Sequence, residues 1–125
     1  MKTTIYHNPR CSKSRQTLQL LRDKGVEPEI IEYLKTPPTA EQLAQILDDL
    51  DMKPRHLMRK KEAEYKENNL ADESLSDDEL IAAMVAHPKL IERPIVIGDN
   101  VTAGKKQTVL GRPPENVLDL VQSLL

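Results

Sequence analysis

The chain predicts an α/β fold: one mixed sheet of four strands flanked by helices. Three observations carry this expectation. A strand–helix–strand unit of about 30 residues opens the sequence. A block of amphipathic helical segments fills the middle, and two further β-rich runs followed by a helix close it. At 125 residues the chain has the length of one ordinary domain, taken as 1–125. Folding at that length buries roughly two thirds of the surface the unfolded chain exposes, so a core forms without cross-links.

Residues 3–7, TTIYH, form a short β-rich run that stops at the breaker pair Asn8-Pro9. A polar helix is expected from Ser12 to Lys24 with Leu18 and Leu21 on one face, and Gly25 stands where a helix C-cap belongs. Pro28–Tyr33, centred on Ile30 and Ile31, reads as a second strand, parallel to the first through a right-handed crossover. Thr36-Pro37-Pro38 is a linker. Thr39 and Gln42 have the spacing of a capping box, and Leu43, Ile46, Leu47 and Leu50 recur as an apolar stripe. Pro54 opens a short helix with Leu57 and Met58; 60–69 is charged surface. Ser76 and Glu79 form a second capping box, and its helix should bury Leu80, Ile81, Met84 and Val85 before ending at His87-Pro88. Pro94–Ile97 reads as a buried strand and Gly98-Asp99-Asn100 as a turn. Residues 101–107 read equally as a loop, with Lys105-Lys106 at its tip, or as part of a hairpin. Thr108–Leu110 is a further strand. Pro113-Pro114-Glu115 starts the last helix, whose stripe is Val117, Leu118, Val121 and Leu124.

The composition excludes several classes of function. Hydrophobic residues make up 38% and charged residues 30% of the chain, with a net charge of −2, a globular balance without the basic excess of a nucleic-acid binder. Three Tyr, no Phe and no Trp leave an aliphatic core and no stacking platform for single strands. No apolar run is long enough to span a membrane. The N-terminal residues lack an apolar signal core and the single cysteine cannot form an internal disulfide, so a reducing compartment, the cytoplasm, is expected. No Cys/His cluster has metal-ligand spacing and no glycine-rich phosphate loop is present, so no bound cofactor or metal is expected.

The chemistry concentrates at Cys11. It follows a strand and stands at the first turn of a helix, where unpaired N–H groups and the helix dipole favour an anion. A thiol there ionises more easily, and the thiolate is the nucleophile. Ser14 lies on the same helical face and is expected to donate its hydroxyl to the sulfur. Arg10 and Arg15 add positive charge, as does His7 when protonated. A free cysteine is otherwise a small buried hydrophobe. The polar strand-to-helix turn, a poor place for a core residue, favours the reactive reading. His56 and His87 read as surface or capping residues.

The run Tyr6-His7-Asn8-Pro9-Arg10-Cys11-Ser12-Lys13-Ser14-Arg15 resembles the active-site loop of the glutaredoxin-coupled arsenate reductases, the ArsC family. Tyr33–Pro38, Leu57–Lys60, Leu90–Val96 and Gly111–Pro113 continue the resemblance in the same order. It implies a thioredoxin-like fold with a helical insertion. It also implies three arginines that bind the substrate oxyanion, Arg59, Arg93 and Arg112, and a structural cis-proline at Pro94. Guanidinium groups suit a tetrahedral oxyanion, because they offer permanent forked donors. Arg10, Arg15, Arg22 and Arg55 read by default as solvated charges. The implied reaction reduces arsenate to arsenite through a covalent Cys11 adduct. With one cysteine the chain cannot resolve that adduct alone, so glutathione is the implied co-substrate and glutaredoxin the implied partner. Spx-type regulators that bind RNA polymerase share the fold, but they carry Cys-x-x-Cys where this chain has Ser14. A monothiol protein acting on glutathione mixed disulfides is the third reading. Gly98–Gln107 is longer than the resemblance leads one to expect.

Overall fold

A computed structural model describes residues 2–124, with the Leu124 side chain, one member of the expected last stripe, outside the described residues. The elements are β1 (Lys2–His7), α1 (Ser12–Asp23), β2 (Glu29–Glu32), α2 (Ala40–Leu50), α3 (Pro54–Leu57), α4 (Ala63–Glu67), α5 (Asp77–Ala86), a 3₁₀ turn (Pro88–Leu90), β3 (Ile95–Asn100), β4 (Lys105–Leu110) and α6 (Asn116–Leu124). They group into two compact units: Met1–Thr36 with Arg93–Leu125, and Pro37–Glu92, which enters the chain between β2 and β3.

In the first unit the strands lie in the order β2-β1-β3-β4. β1 pairs with β2 in parallel, as a helical crossover requires, and antiparallel with β3; β3 and β4 form an antiparallel hairpin. Helices α1 and α6 pack on each other and on the sheet. Ile5 and Val96 from the strands, Leu18 and Leu21 from α1, and Val117, Leu120 and Val121 from α6 make one aliphatic cluster. Leu120, not Leu118, completes the α6 stripe; Leu118 is only half-buried. Gly25 follows α1 with φ +78, a left-handed position suited to a residue without Cβ. Strand β3 runs on through Gly98-Asp99-Asn100, and β4 starts at Lys105. The reversal therefore falls at 101–104, where Ala103 N–H donates to Asn100 Oδ1 (3.2 Å) and Gly104 has φ +65. Gly98-Asp99-Asn100 is strand rather than turn, and Lys105-Lys106 belong to a strand rather than a loop tip. In the ladder Asp99 stands opposite Lys106 and Asn100 opposite Lys105.

In the second unit both capping boxes form as spaced. Thr39 accepts from Gln42 N–H and Ser76 from Glu79 N–H, each at 3.1 Å, and each is answered by the reciprocal side-chain bond. Leu43, Ile46 and Leu47 of α2 and Leu80, Ile81 and Met84 of α5 are buried; Leu50 and Val85 are half-buried. Within the charged run, Ala63–Glu67 forms a short helix. Arg55 fastens the segment beyond that helix, donating to the carbonyls of Leu70 (2.7 Å) and Asp72 (2.5 Å). It is a half-buried clamp and not the solvated charge expected of it. Among the described residues no helix is long and apolar enough to cross a membrane.

Candidate active site

The turn between β1 and α1 is wound tightly by its own polar groups. Cys11 N–H donates to the Asn8 carbonyl (3.0 Å), Arg10 N–H to Asn8 Oδ1 (3.0 Å), and the Arg15 guanidinium to the Pro9 carbonyl (3.0 Å). This winding leaves Cys11 as the N-cap of α1, with extended φ and ψ of −93 and 124. The neutral thiol makes no capping hydrogen bond of full geometry. The amides of Ser14 and Lys13 nevertheless lie where they stabilise negative charge on the sulfur, as does the Arg93 guanidinium. Cys11 is only 9% exposed. Burial therefore pushes the thiol up, but the Ser14 amide, the charge of Arg93, the Lys13 amide and the Arg93 hydrogen bond together outweigh it, and the net shift is down. Burial and fixed donors thus act together on this cysteine, the first against the thiolate and the second for it.

Two expected contacts differ. The Ser14 hydroxyl does not serve the sulfur. It sits 2.6 Å from His7 Nδ1 and accepts the Asn8 N–H at 3.0 Å, all largely out of solvent. It is the Ser14 backbone N–H that reaches toward Cys11. His7 brings no positive charge either. Burial lowers its pKa, and Arg22 and Arg15 push the same way against Glu32, so the ring stays neutral near pH 7. A neutral ring accepting the Ser14 O–H leaves the Ser14 oxygen to accept from Asn8. The trio ties the end of β1 to the first turn of α1, and it positions the cysteine rather than touching it.

The arginines divide between the units. Arg93 and Arg112 come together: Arg112 Nη1 donates to the Arg93 carbonyl at 3.2 Å. Arg93, expected as a substrate ligand, also borders the sulfur itself. The Arg93–Pro94 bond is cis, as the resemblance implied, and so is Arg112–Pro113, which no motif had marked. Arg59 belongs to the second unit. Its guanidinium bonds Glu62 (3.0 Å) and lies 3.8 Å from Glu92, and its backbone N–H donates to the Leu90 carbonyl.

Sequence reasoning passed over Gly111 and Thr17. Thr17 is fully buried one turn beyond Ser14, and its hydroxyl donates to the Lys13 carbonyl at 2.8 Å. Gly111 N–H donates to the Pro94 carbonyl at 2.8 Å. A Cβ on Gly111 would lie 2.7 Å from both Pro94 Cγ and Thr17 Oγ1. The glycine is thus what lets α1, Pro94 and the end of β4 meet. The only signal in the sequence was its place in Gly111-Arg112-Pro113.

This arrangement can hold an ionised sulfur beside the Arg93 guanidinium in a partly dry turn, which suits nucleophilic attack on an oxyanion. Among the described residues no group of His, Cys, Asp and Glu could hold a metal ion.

Relatives match nearly the whole of this chain. An uncharacterized protein, YfgD, of Escherichia coli K12 is 58% identical over 118 residues, 94% of each chain. An arsenate reductase of Escherichia coli is 45% identical over 94% of this chain and 79% of its own. The structure of an arsenate reductase from Vibrio cholerae superposes with a TM-score of 0.87 at 52% identity, covering 95% of this chain and 97% of that one. The ArsC family model matches residues 6–120, from Tyr6 in the cysteine loop past both Arg-Pro pairs to Leu120 of the last helix, and the chain belongs to the ArsC family.

Proposed function

We propose that this protein is an oxidoreductase that reduces arsenate to arsenite through a covalent adduct on Cys11. One observation carries the reading: the only sulfur nucleophile of the chain stands at a helix N-cap with Arg93 beside it, and its pKa is lowered despite burial. Family membership and the arsenate reductases among the relatives support the choice of oxyanion.

The chemistry follows from the site. The Cys11 thiolate attacks arsenic; an S–As bond forms, an As–O bond breaks, and the oxygen leaves as water after taking up a proton. Arg93 and Arg112 supply fixed positive charge for the arsenate oxygens as the adduct forms. Arg59 joins the proposal as the residue in the third matching motif. Reduction needs two electrons from a second sulfur, and glutathione is the proposed source. Its thiolate attacks Cys11 Sγ, an S–S bond forms, and the S–As pair stays on arsenic, which departs as arsenite. Glutaredoxin then removes glutathione from Cys11. We place this cycle in the cytoplasm, where such thiols are kept reduced.

The test is arsenate-dependent NADPH oxidation coupled through glutathione, glutathione reductase and glutaredoxin. Wild type should turn over and Cys11→Ser should not. Arg93→Ala, Arg112→Ala and Arg59→Ala should each lower kcat/KM for arsenate, on the order of 10- to 1000-fold. Equal turnover by Cys11→Ser would remove the proposal.

A further inference from the structure

The parallel pairing of β1 and β2 sets His7 opposite Glu32, so both strands deliver their C-terminal ends to the same edge of the first unit. Ligands of open α/β sheets gather at such edges. Here a cavity of about 320 Å³ lies between the two exits. One wall is His7, Asn8, Pro9 and Arg10, the turn that leads directly into Cys11; the other is Glu32, Leu34 and Lys35. That volume suits a small molecule.

The lining has a definite charge pattern. Arg10 and Lys35 are cationic, Glu32 is anionic, and Pro9 and Leu34 are apolar, with Leu34 left 40% exposed. The Lys35–Glu32 ion pair, at 3.7 Å, is solvent-exposed and therefore weak, so a ligand can exchange with it at little cost. Two cations and one anion complement a molecule with two carboxylates and one ammonium. The chain holds a single cysteine, so the sulfur that resolves an adduct on it must arrive from outside and must come to rest beside this turn.

We propose that this cavity is the subsite for the resolving thiol, and that it selects a small peptide thiol with two carboxylates and one ammonium, the charge pattern of glutathione. The proposal rests on the arsenate reading above, which requires an external thiol but assigns it no place. The carboxylates face Arg10 and Lys35, the ammonium faces Glu32, and the aliphatic backbone lies on Pro9 and Leu34. In the reaction the bound thiolate forms the S–S bond with Cys11 while the S–As bond breaks toward arsenic.

The subsite is tested without arsenate. Reduced protein is mixed with glutathione disulfide or with bis(2-hydroxyethyl) disulfide, and the mixed disulfide at Cys11 is followed by intact-protein mass. In each case the Cys11 thiolate displaces one thiolate from the disulfide, so the two reagents share one chemistry and differ in charge and shape. Wild type should react faster with glutathione disulfide. Arg10→Glu and Lys35→Glu should each reduce that preference by about 3- to 10-fold, as expected for exposed charge pairs. The uncharged reagent reports any change in the sulfur itself, and the ratio removes it. An unchanged ratio in both variants would overturn the subsite while leaving the reactive thiolate intact. Failure of Cys11 to react with either disulfide in the wild type would overturn the nucleophile, and with it the arsenate reading.

Discussion

Gly111→Ala places a methyl group where three elements meet. The new Cβ would lie 2.7 Å from Pro94 Cγ, about 0.8 Å short of the ~3.5 Å at which carbon atoms rest against each other. It would also lie 2.7 Å from Thr17 Oγ1 and 3.1 Å from Thr17 Cγ2. Neither neighbour is a flexible tip. The proline ring is fixed to its backbone, and the Thr17 side chain is β-branched, fully buried and bonded to the Lys13 carbonyl. Relief therefore requires backbone movement, and overpacking of this kind costs about 1–3 kcal/mol. For a chain of this length that lowers Tm by roughly 3–15 °C. The displaced groups are Pro94, which follows Arg93, and α1, which carries the Ser14 and Lys13 amides. Hence kcat/KM for arsenate should fall in protein that is still folded. Urea unfolding, thermal melts and the coupled assay are run on wild type, Gly111→Ala, Thr17→Ala and the double variant. Thr17→Ala removes two of the three clashing atoms, so Gly111→Ala should cost less in that background, by more than about 0.5 kcal/mol. The reasoning is refuted if Gly111→Ala melts and turns over like wild type, or if its cost is the same in both backgrounds.

Three further outcomes are expected. The Cys11 thiol pKa is lowered in the folded state, so its stabilising contribution is complete above the ordinary thiol range and is lost as pH falls through the lowered value. Urea midpoints of wild type relative to Cys11→Ser should rise with pH across that interval, and alkylation of Cys11 by iodoacetamide should gain its full rate at higher pH in Arg93→Ala. Ser14→Ala leaves His7 Nδ1 and the Asn8 N–H without their shared partner, which should cost about 1–3 kcal/mol in urea unfolding, whereas a surface-like cost below about 0.5 kcal/mol would contradict the buried trio. Arg55→Ala frees the carbonyls of Leu70 and Asp72, so hydrogen exchange should accelerate across 65–72 while the strands of the first unit keep their protection.

The element order, both capping boxes and the place of Cys11 at the start of α1 were legible in the sequence because each rests on local rules. Thr39 and Gln42, or Ser76 and Glu79, sit three residues apart and see only their own turn. The hairpin was legible only as one of two alternatives for 101–107, and its extent was not. Gly98-Asp99-Asn100 has turn composition, yet pairing with Lys105, Lys106 and Gln107 across the ladder holds it as strand, and that partner lies outside any short window. The His7–Ser14 bond was missed for a related reason. Two polar residues seven positions apart, one on a strand and one on a helix, show no periodicity, and only the turn geometry brings them together. The same holds for Arg55, whose acceptors are carbonyls 15 and 17 positions away that carry no side-chain signature. For the arginines, residue chemistry set none apart from a solvated charge, and the motif resemblance alone singled out Arg59, Arg93 and Arg112.

The central strand has a consequence for how the protein is made. β1 holds the middle of the sheet with β2 and β3 as neighbours, yet β3 begins at Ile95, and the cluster around Ile5 draws its remaining members from 96–121 as well as from α1. On the ribosome, Cys11 is translated well before Arg93, so the sulfur waits for α2 to α5 to be made before its guanidinium arrives. Until then α1 is a lone 12-residue helix, too short to persist in water by itself. A nascent or prematurely released chain therefore lacks the Arg93 guanidinium and the fixed helix amides that favour the thiolate.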